Sequence, residues 1–149
     1  MKITKKTRYG LRALIYLARN SDQEGKRVRI KEISEVEKIP IPYLEQILNK
    51  LKKAEVIEGK RGPSGGYNLS KLPEDIRMIE IFEILEGDLS VVDCDIAAEN
   101  CKKEDCSTIY LWNKINASIM TLLYSTTLSE LIDDYEKKMS RKKNENNIY

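Results

Sequence analysis

The side chains best suited to reactive chemistry in this chain are three cysteines, Cys94, Cys101 and Cys106, and no histidine stands beside them. Without imidazole there is no serine triad, no histidine-ligated zinc and no imidazole acid–base catalysis. The thiols are separated by six and four residues, in a stretch over 88–106 that lacks helix or strand periodicity. Three thiolates from one irregular loop suit iron–sulfur ligation, which needs soft ligands and tolerates irregular backbone. Zinc would want a fourth ligand at standard spacing, and the chain has no C-x-x-C pair. An odd, low cysteine count also argues against a secretory disulfide framework. Spacing alone tilts toward plainer readings, ordinary thiols or a redox-reactive pair, and leaves the cluster open.

A second set of residues is suited to a polyanion. Residues 1–71 carry 17 Lys/Arg against 8 Asp/Glu, residues 72–136 carry 4 against 15, and residues 137–149 carry 5 against 1. The net charge of +2 therefore divides into +9, −11 and +4. A basic first half on an acidic remainder predicts that the first half meets a polyanion and the second does not. Lys60 and Arg61 precede Gly62-Pro63-Ser64-Gly65-Gly66, a run of nearly pure turn chemistry. Its glycines would let backbone approach a phosphate or a narrow groove, and its arginine would read minor-groove width and potential.

Upstream, Pro42, Tyr43, Glu45, Gln46 and Asn49 fall at the start of a helix. Gln pairs bidentately with adenine and Glu accepts from cytosine N4, while Tyr43 could donate to a phosphate. The helix N-terminus, where Ile41 offers no side-chain cap, would present free N–H groups to a phosphate. Thr4, Lys5, Lys6 and Arg8 would add sequence-blind contacts that weaken steeply with salt. No nucleotide-binding glycine motif occurs, and no nucleophile, base and oxyanion donor fall together, so an enzyme is not expected.

Helical periodicity covers about 7–19, about 30–38 and from Pro42 to about Ala54, the last with Leu44, Ile47, Leu48 and Leu51 as its apolar stripe. A hairpin follows over 56–70, with Tyr67 and Leu69 expected on its dry face. Two short helices joined by a tight turn and followed by a hairpin form a winged helix-turn-helix, whose second helix enters the major groove. Beyond Pro73 come a helix over 76–86 stopped by Gly87, the cysteine stretch, a long helix over 107–124, and a capping box at Thr127-Leu128-Ser129-Glu130 opening a last helix to about Met139. On the long helix, Trp112, Ile115, Ile119 and Leu122 are spaced as a short heptad seam that would pair two subunits.

The fold class is thus mainly α: a winged helix-turn-helix with a small β-hairpin wing plus a long C-terminal dimerisation helix. Residues 1–72 form the DNA-binding domain, 73–139 the linker helix, cysteine loop and dimerisation helices, and 140–149 a disordered tail. No apolar run approaches the ~18 residues of a membrane span. The start, Met1-Lys2-Ile3-Thr4-Lys5-Lys6, is no signal peptide, so a cytoplasmic protein is expected.

Tyr9-Gly10-Leu11-Arg12-Ala13-Leu14, Pro42-Tyr43-Leu44-Glu45-Gln46-Ile47-Leu48 and Arg61-Gly62-Pro63-Ser64-Gly65-Gly66-Tyr67, in that order, resemble the bacterial winged-helix repressors of the Rrf-two family. The resemblance extends to about residue 138. It implies a homodimer on a pseudo-palindromic operator, with the residues named above on double-stranded DNA. Cluster-binding members carry three cysteines in this loop, so it also implies that Cys94, Cys101 and Cys106 hold an iron–sulfur cluster, [2Fe-2S] or [4Fe-4S], sensing redox, iron–sulfur or nitric-oxide status. The chain departs at the fourth ligand. Ile109 stands where one cluster-binding member has histidine, and Arg8 where the nitric-oxide sensor has a first-helix aspartate. Asp93, Asp95, Glu99, Glu104, Asp105, Ser107 or a small exogenous group would have to serve. Other members work without a cluster, under a metabolite or a partner protein of cysteine metabolism. An iron–sulfur carrier or protein-interaction module that does not bind DNA is the remaining alternative.

Overall fold

The computed structural model describes residues 3–22, 24–91 and 106–146. Their elements run in the order α1 (Lys5–Asn20), α2 (Ile30–Glu37), α3 (Ile41–Lys53), β1 (Ile57–Lys60), β2 (Gly66–Leu69), a short 3-10 turn (Pro73–Asp75), α4 (Met78–Glu86), α5 (Ile109–Ser125) and α6 (Leu128–Asn146). Four helices and an antiparallel hairpin thus form the first part, and two helices the last.

α1 lies at the centre, packing against α2, α3, α4, α6 and β2. Its Ala13, Leu14 and Leu17 are wholly buried, and Gly10 lets α4 come close. A Cβ at Gly10 would stand 2.4 Å from Leu85 Cδ1. The expected stripe on α3 is realised, with Leu44, Ile47, Leu48 and Leu51 all inside. Burial of this kind is worth about 1.5–3 kcal/mol for each large aliphatic side chain.

The turn between α2 and α3 is tight because Lys38 adopts the left-handed conformation, with φ 54°. The Lys38 N–H and the Ile39 N–H, the latter at 3.2 Å, both reach the Ser34 carbonyl. The Ser34 hydroxyl then donates to the Ile39 carbonyl at 2.6 Å. α3 opens at Pro40, one residue before the cap expected from the sequence, with Pro42 inside the first turn where its missing N–H is harmless.

In the hairpin Ile57 pairs with Leu69 and Lys60 with Gly66. The expected dry residues of β2, Tyr67 and Leu69, pack against the core, but the expected wet position between them is not wet. Asn68 is the buried residue, while Tyr67 and Leu69 are half-buried. Asn68 is tolerated inside because its Oδ1 accepts from Arg27 Nη1 at 2.6 Å, and Arg27 Nη2 also donates to Glu58 at 2.7 Å. One guanidinium therefore clamps both strands to the preceding loop. Hydrogen bonding from Asn68, then from Arg27, holds the Glu58 carboxyl below its ordinary value. Gly66, with φ 143°, lies against the Val28 backbone, which exchanges two hydrogen bonds with Tyr67 at 2.8 and 2.9 Å.

α4 joins the same core through Met78, Ile79, Ile81, Phe82 and Leu85, with Ile76 buried just ahead of it, although it follows the end expected for the module at residue 72. α6 returns to this body. Leu128 N–H donates to the Ile76 carbonyl and Met78 N–H to the Thr126 carbonyl, each at 2.9 Å. Half of the expected capping box forms, Glu130 accepting from the Thr127 N–H at 3.0 Å. α6 runs on to Asn146, past its expected end near Met139 and into the stretch expected as a tail. Lys143 sits in its last turn, where a cation meets the helix dipole favourably.

Candidate nucleic-acid interface

The core stripe of α3 leaves the opposite stripe, Pro42, Glu45, Gln46 and Asn49, exposed along one face. Those are four of the five recognition residues expected there. Tyr43 is different: it is half-buried, and its ring meets that of Tyr9 edge to face, 5.6 Å between centroids and 86° between planes. Arg12 continues the chain of contacts, lying 5.7 Å over the Tyr9 ring and pairing with Glu37 at 2.9 Å. It also donates to the Glu37 carbonyl. The start of α3, the middle of α1 and the end of α2 are thus locked together, which sets the tilt at which α3 is presented.

The N-terminus of α3 offers less to an anion than its lack of a side-chain cap suggests. Pro42 has no N–H, and the Tyr43 and Leu44 N–H groups turn back to the Pro40 carbonyl at 3.1 and 2.9 Å. Among the described residues of that turn this leaves the Ile41 N–H.

Lys60, Arg61, Gly62 and Ser64 are exposed at the wing, with Gly65 and Gly66 half-buried behind them. The glycines divide by role. A Cβ at Gly65 would stand 2.4 Å from the Lys60 carbonyl, and one at Gly66 2.6 Å from the Val28 carbonyl, so these two are required by the protein's own backbone. Gly62, with φ 103°, has open space around it and leaves the wing turn free for an outside approach. The wing and α3 share one side of the molecule. Asn49 and Lys52 from α3 and Gly59 to Pro63 from the wing line a single cleft of about 490 Å³, closed on its far side by Arg29 to Lys31. Arg29 reaches over it and donates to the Pro63 carbonyl at 2.5 Å.

Arg29, Lys31 and Lys52 were not singled out from the sequence. The signal available was the basic excess of the whole first half, which has no period and does not say which cations converge. At the start of α1, Lys5 and Arg8 are exposed and Lys6 half-buried, while Thr4 gives both its N–H and its hydroxyl to Glu86.

Of the cysteines, Cys94 and Cys101 lie outside the described residues, as do Asp93, Asp95, Glu99, Glu104 and Asp105. Cys106 is half-buried just before α5, its Sγ 3.3 Å from the Thr108 hydroxyl. That hydroxyl oxygen in turn accepts the indole N–H of Trp112 at 3.1 Å. Among the described residues no three Cys, Asp or Glu side chains converge on a metal-sized site. The donor set of the chain, three thiols with a hydroxyl able to donate to one of them, fits three of the four ligands that an iron–sulfur centre takes.

The expected dimer seam is divided in the structure. Ile119 packs against the core beside buried Leu123, Trp112 and Ile115 are half-buried, and Leu122 is 63% exposed. Tyr110, Leu111 and Tyr124 are exposed too, so α5 shows much of its apolar surface. No described helix is long and apolar enough to cross a membrane.

Known proteins agree with this geometry. Residues 3–134 match the family model described as Rrf2, iron-dependent transcriptional regulator. The HTH-type transcriptional regulator IscR of Cereibacter sphaeroides is 34% identical over 135 residues, spanning 89% of this chain and 87% of its own length. Among solved structures, CymR (YrzC), the global cysteine regulator of B. subtilis, superposes with a TM-score of 0.76 at 33% identity, over 89% of this chain and 97% of that one. IscR of T. potens superposes with a TM-score of 0.74 at 34% identity, over 93% of this chain and 90% of the other. The solved neighbours share its mainly α winged-helix fold, and this chain belongs to the Rrf2 (Rrf-two) family of DNA-binding transcriptional regulators, which are not enzymes.

Proposed function

We propose that the protein is a cytoplasmic homodimeric repressor that binds a pseudo-palindromic operator and senses redox, iron–sulfur or nitric-oxide status through a cluster held by Cys94, Cys101 and Cys106. Residues 1–72 bind DNA, and residues 73–139 join the sensing segment to the dimer. The observation that carries the DNA geometry is the shared cleft of α3 and the wing. With Glu45, Gln46 and Asn49 in the major groove, Arg61 is delivered toward the adjacent minor groove. Lys5, Lys6, Arg8 and Lys60 add phosphate contacts that position without specifying.

A dimer is favoured by α5, whose exposed Leu111 and Leu122 need cover. Two recognition helices must stand about 34 Å apart to enter successive major grooves, and a helical arm sets such a distance. The cluster reading is supported by the three thiols and by the likeness to regulators named IscR. Bound there, the cluster would supply electron-transfer or ligand-exchange chemistry. The chain's own part is to supply the sulfurs, with the Thr108 hydroxyl beside one of them.

A second reading keeps the fold and the operator but replaces the cluster by a metabolite or partner enzyme. The likeness to CymR, named a global cysteine regulator, favours it. Anaerobic purification with iron and sulfide analysis, followed by titration of a genomic DNA library with each form, separates the two. Stoichiometric iron and sulfide with a form-dependent footprint supports the sensor. Metal-free protein with full operator affinity overturns it in favour of the second.

A further inference from the structure

The cleft between α2 and the wing has a composition that recognition of bases does not explain. Arg29, Lys31, Lys52, Lys60 and Arg61 all line it, together with the glycines of the wing, and no Asp or Glu does. Asn49 and Tyr67 supply its neutral polar groups. Like charges gathered in this way repel one another, and exposure to water only partly relieves the cost.

Their charges are also left uncompensated by the protein. Among the described residues no carboxylate stands within ion-pair distance of Lys52, Lys60 or Arg61. Lys31 has Glu35 at 3.9 Å, an exposed pair of the kind that contributes little. The nearby Glu58 is taken by Arg27. Lys52 is directed along the wall of the cleft, its Cδ 3.7 Å from where a Cβ of Gly59 would be. Arg29 spends one N–H on the Pro63 carbonyl, which fixes the wing turn relative to α2 while its charge stays on the cleft.

Resting on the DNA reading above, we propose that this cleft seats one strand of the sugar–phosphate backbone, with Lys31 and Lys52 as phosphate contacts and Arg29 as the residue that positions the wing turn over that strand. A duplex is the occupant that matches: a regular row of monoanionic phosphates against a row of cations, flanked on one side by the major-groove face of α3 and on the other by Arg61. The contacts carry no sequence information. They place the duplex so that the base-reading residues meet it in register.

The test uses the full-length protein with an operator selected from a genomic library and an unrelated duplex of equal length. Lys31 and Lys52 are exposed, so the double variant K31Q/K52Q is expected to melt like the parent. It should weaken binding to both duplexes alike and reduce the slope of log affinity against log salt by about two. Methylphosphonates placed one at a time along the operator should weaken the parent at phosphates beside the wing, and lose that effect in the double variant. R29A should blunt discrimination between the duplexes and speed amide exchange at 62–65. A parent with a steep salt dependence, matched in slope and methylphosphonate pattern by K31Q/K52Q, overturns the proposal and leaves the DNA reading intact. A parent that binds neither duplex overturns both.

Discussion

Glu86, the last residue of α4, caps α1 from outside: its Oε1 accepts the Thr4 N–H at 2.8 Å and the Thr4 hydroxyl at 2.9 Å. α1 has no acid in its first turn and no side-chain cap of its own, so a carboxylate from another helix meets its positive end. Burial opposes ionisation of Glu86, but the adjacent Thr7 hydroxyl, both donors of Thr4 and the charge of Lys6 outweigh it and hold its pKa below the ordinary value. Thr7 is buried and lies beside the carboxylate without completing a well-aligned hydrogen bond. A phosphate at Thr4 would have to displace Glu86.

Loss of that cap should be measurable in stability. Glu86→Ala is expected to cost about 1 kcal/mol and Glu86→Gln, which keeps an acceptor, somewhat less. Because the folded-state pKa is depressed, the contribution is complete above the unfolded-state value and disappears as pH falls through the folded-state one. Urea midpoints taken through the acid range should therefore fall less steeply in Glu86→Gln than in the parent. Parallel acid limbs would refute the cap.

The left-handed Lys38 that turns α2 into α3 carries a cost that glycine would relieve. Left-handed backbone costs an ordinary residue roughly 1–2 kcal/mol, and the entropy of glycine returns part of this. Lys38→Gly is expected to raise the melting temperature by about 2–4 °C for each kcal/mol gained, with operator binding kept. Lys38→Val should lower it.

The wing glycines should separate by their surroundings. Gly66→Ala would add both left-handed strain and a clash with the Val28 carbonyl, and is expected to destabilise by about 2–3 kcal/mol. Gly62→Ala meets open space and should cost only the backbone term, about 1 kcal/mol. Denaturant midpoints distinguish them, and equal losses would contradict the assignment.

The hydroxyl of Thr108 connects the sole tryptophan to Cys106. Thr108→Val should remove the indole's acceptor and shift Trp112 emission in the metal-free protein. In protein carrying the proposed cluster it should also lower the reduction potential, since a hydrogen bond donated to a ligating sulfur raises it. An unchanged potential beside a shifted emission would place the hydroxyl out of reach of the cluster.

If α5 pairs two subunits, charges on its exposed apolar side should part them without harming the core. Leu111→Asp with Leu122→Asp is expected to give a folded monomer by sedimentation, with operator affinity sharply reduced. An unaltered mass would move the interface elsewhere.

Much of the α3 face was legible because a periodic buried stripe defines its complement: once Leu44, Ile47, Leu48 and Leu51 point inward, Glu45, Gln46 and Asn49 must point out. The wing was legible from its turn residues for the same local reason. What the sequence did not disclose is tertiary. Asn68 reads as a wet strand position until Arg27, distant in the chain, arrives to satisfy it. That the Tyr43 ring packs on Tyr9 is not visible in the sequence either, and the cleft needs Arg29, Lys52 and the wing brought together by tertiary contacts. On α5, a heptad count assumed one apolar side, whereas the core of the same chain takes Leu123 and Ile119 and leaves Leu122 outside.

The chain departs from the winged helix at α4 and comes back to the same spot, where Arg77 bridges Thr127 and donates to the Tyr124 carbonyl at 2.7 Å. Farther along α6, Arg19 lies 4.5 Å over the Tyr135 ring and ties the returning helix to α1. α5 therefore ends, and α6 begins, on the same body that carries α3. Because α5 packs on α4 and α6 on α1, a torque on α5 meets no loose joint before it reaches the helices that carry the recognition face.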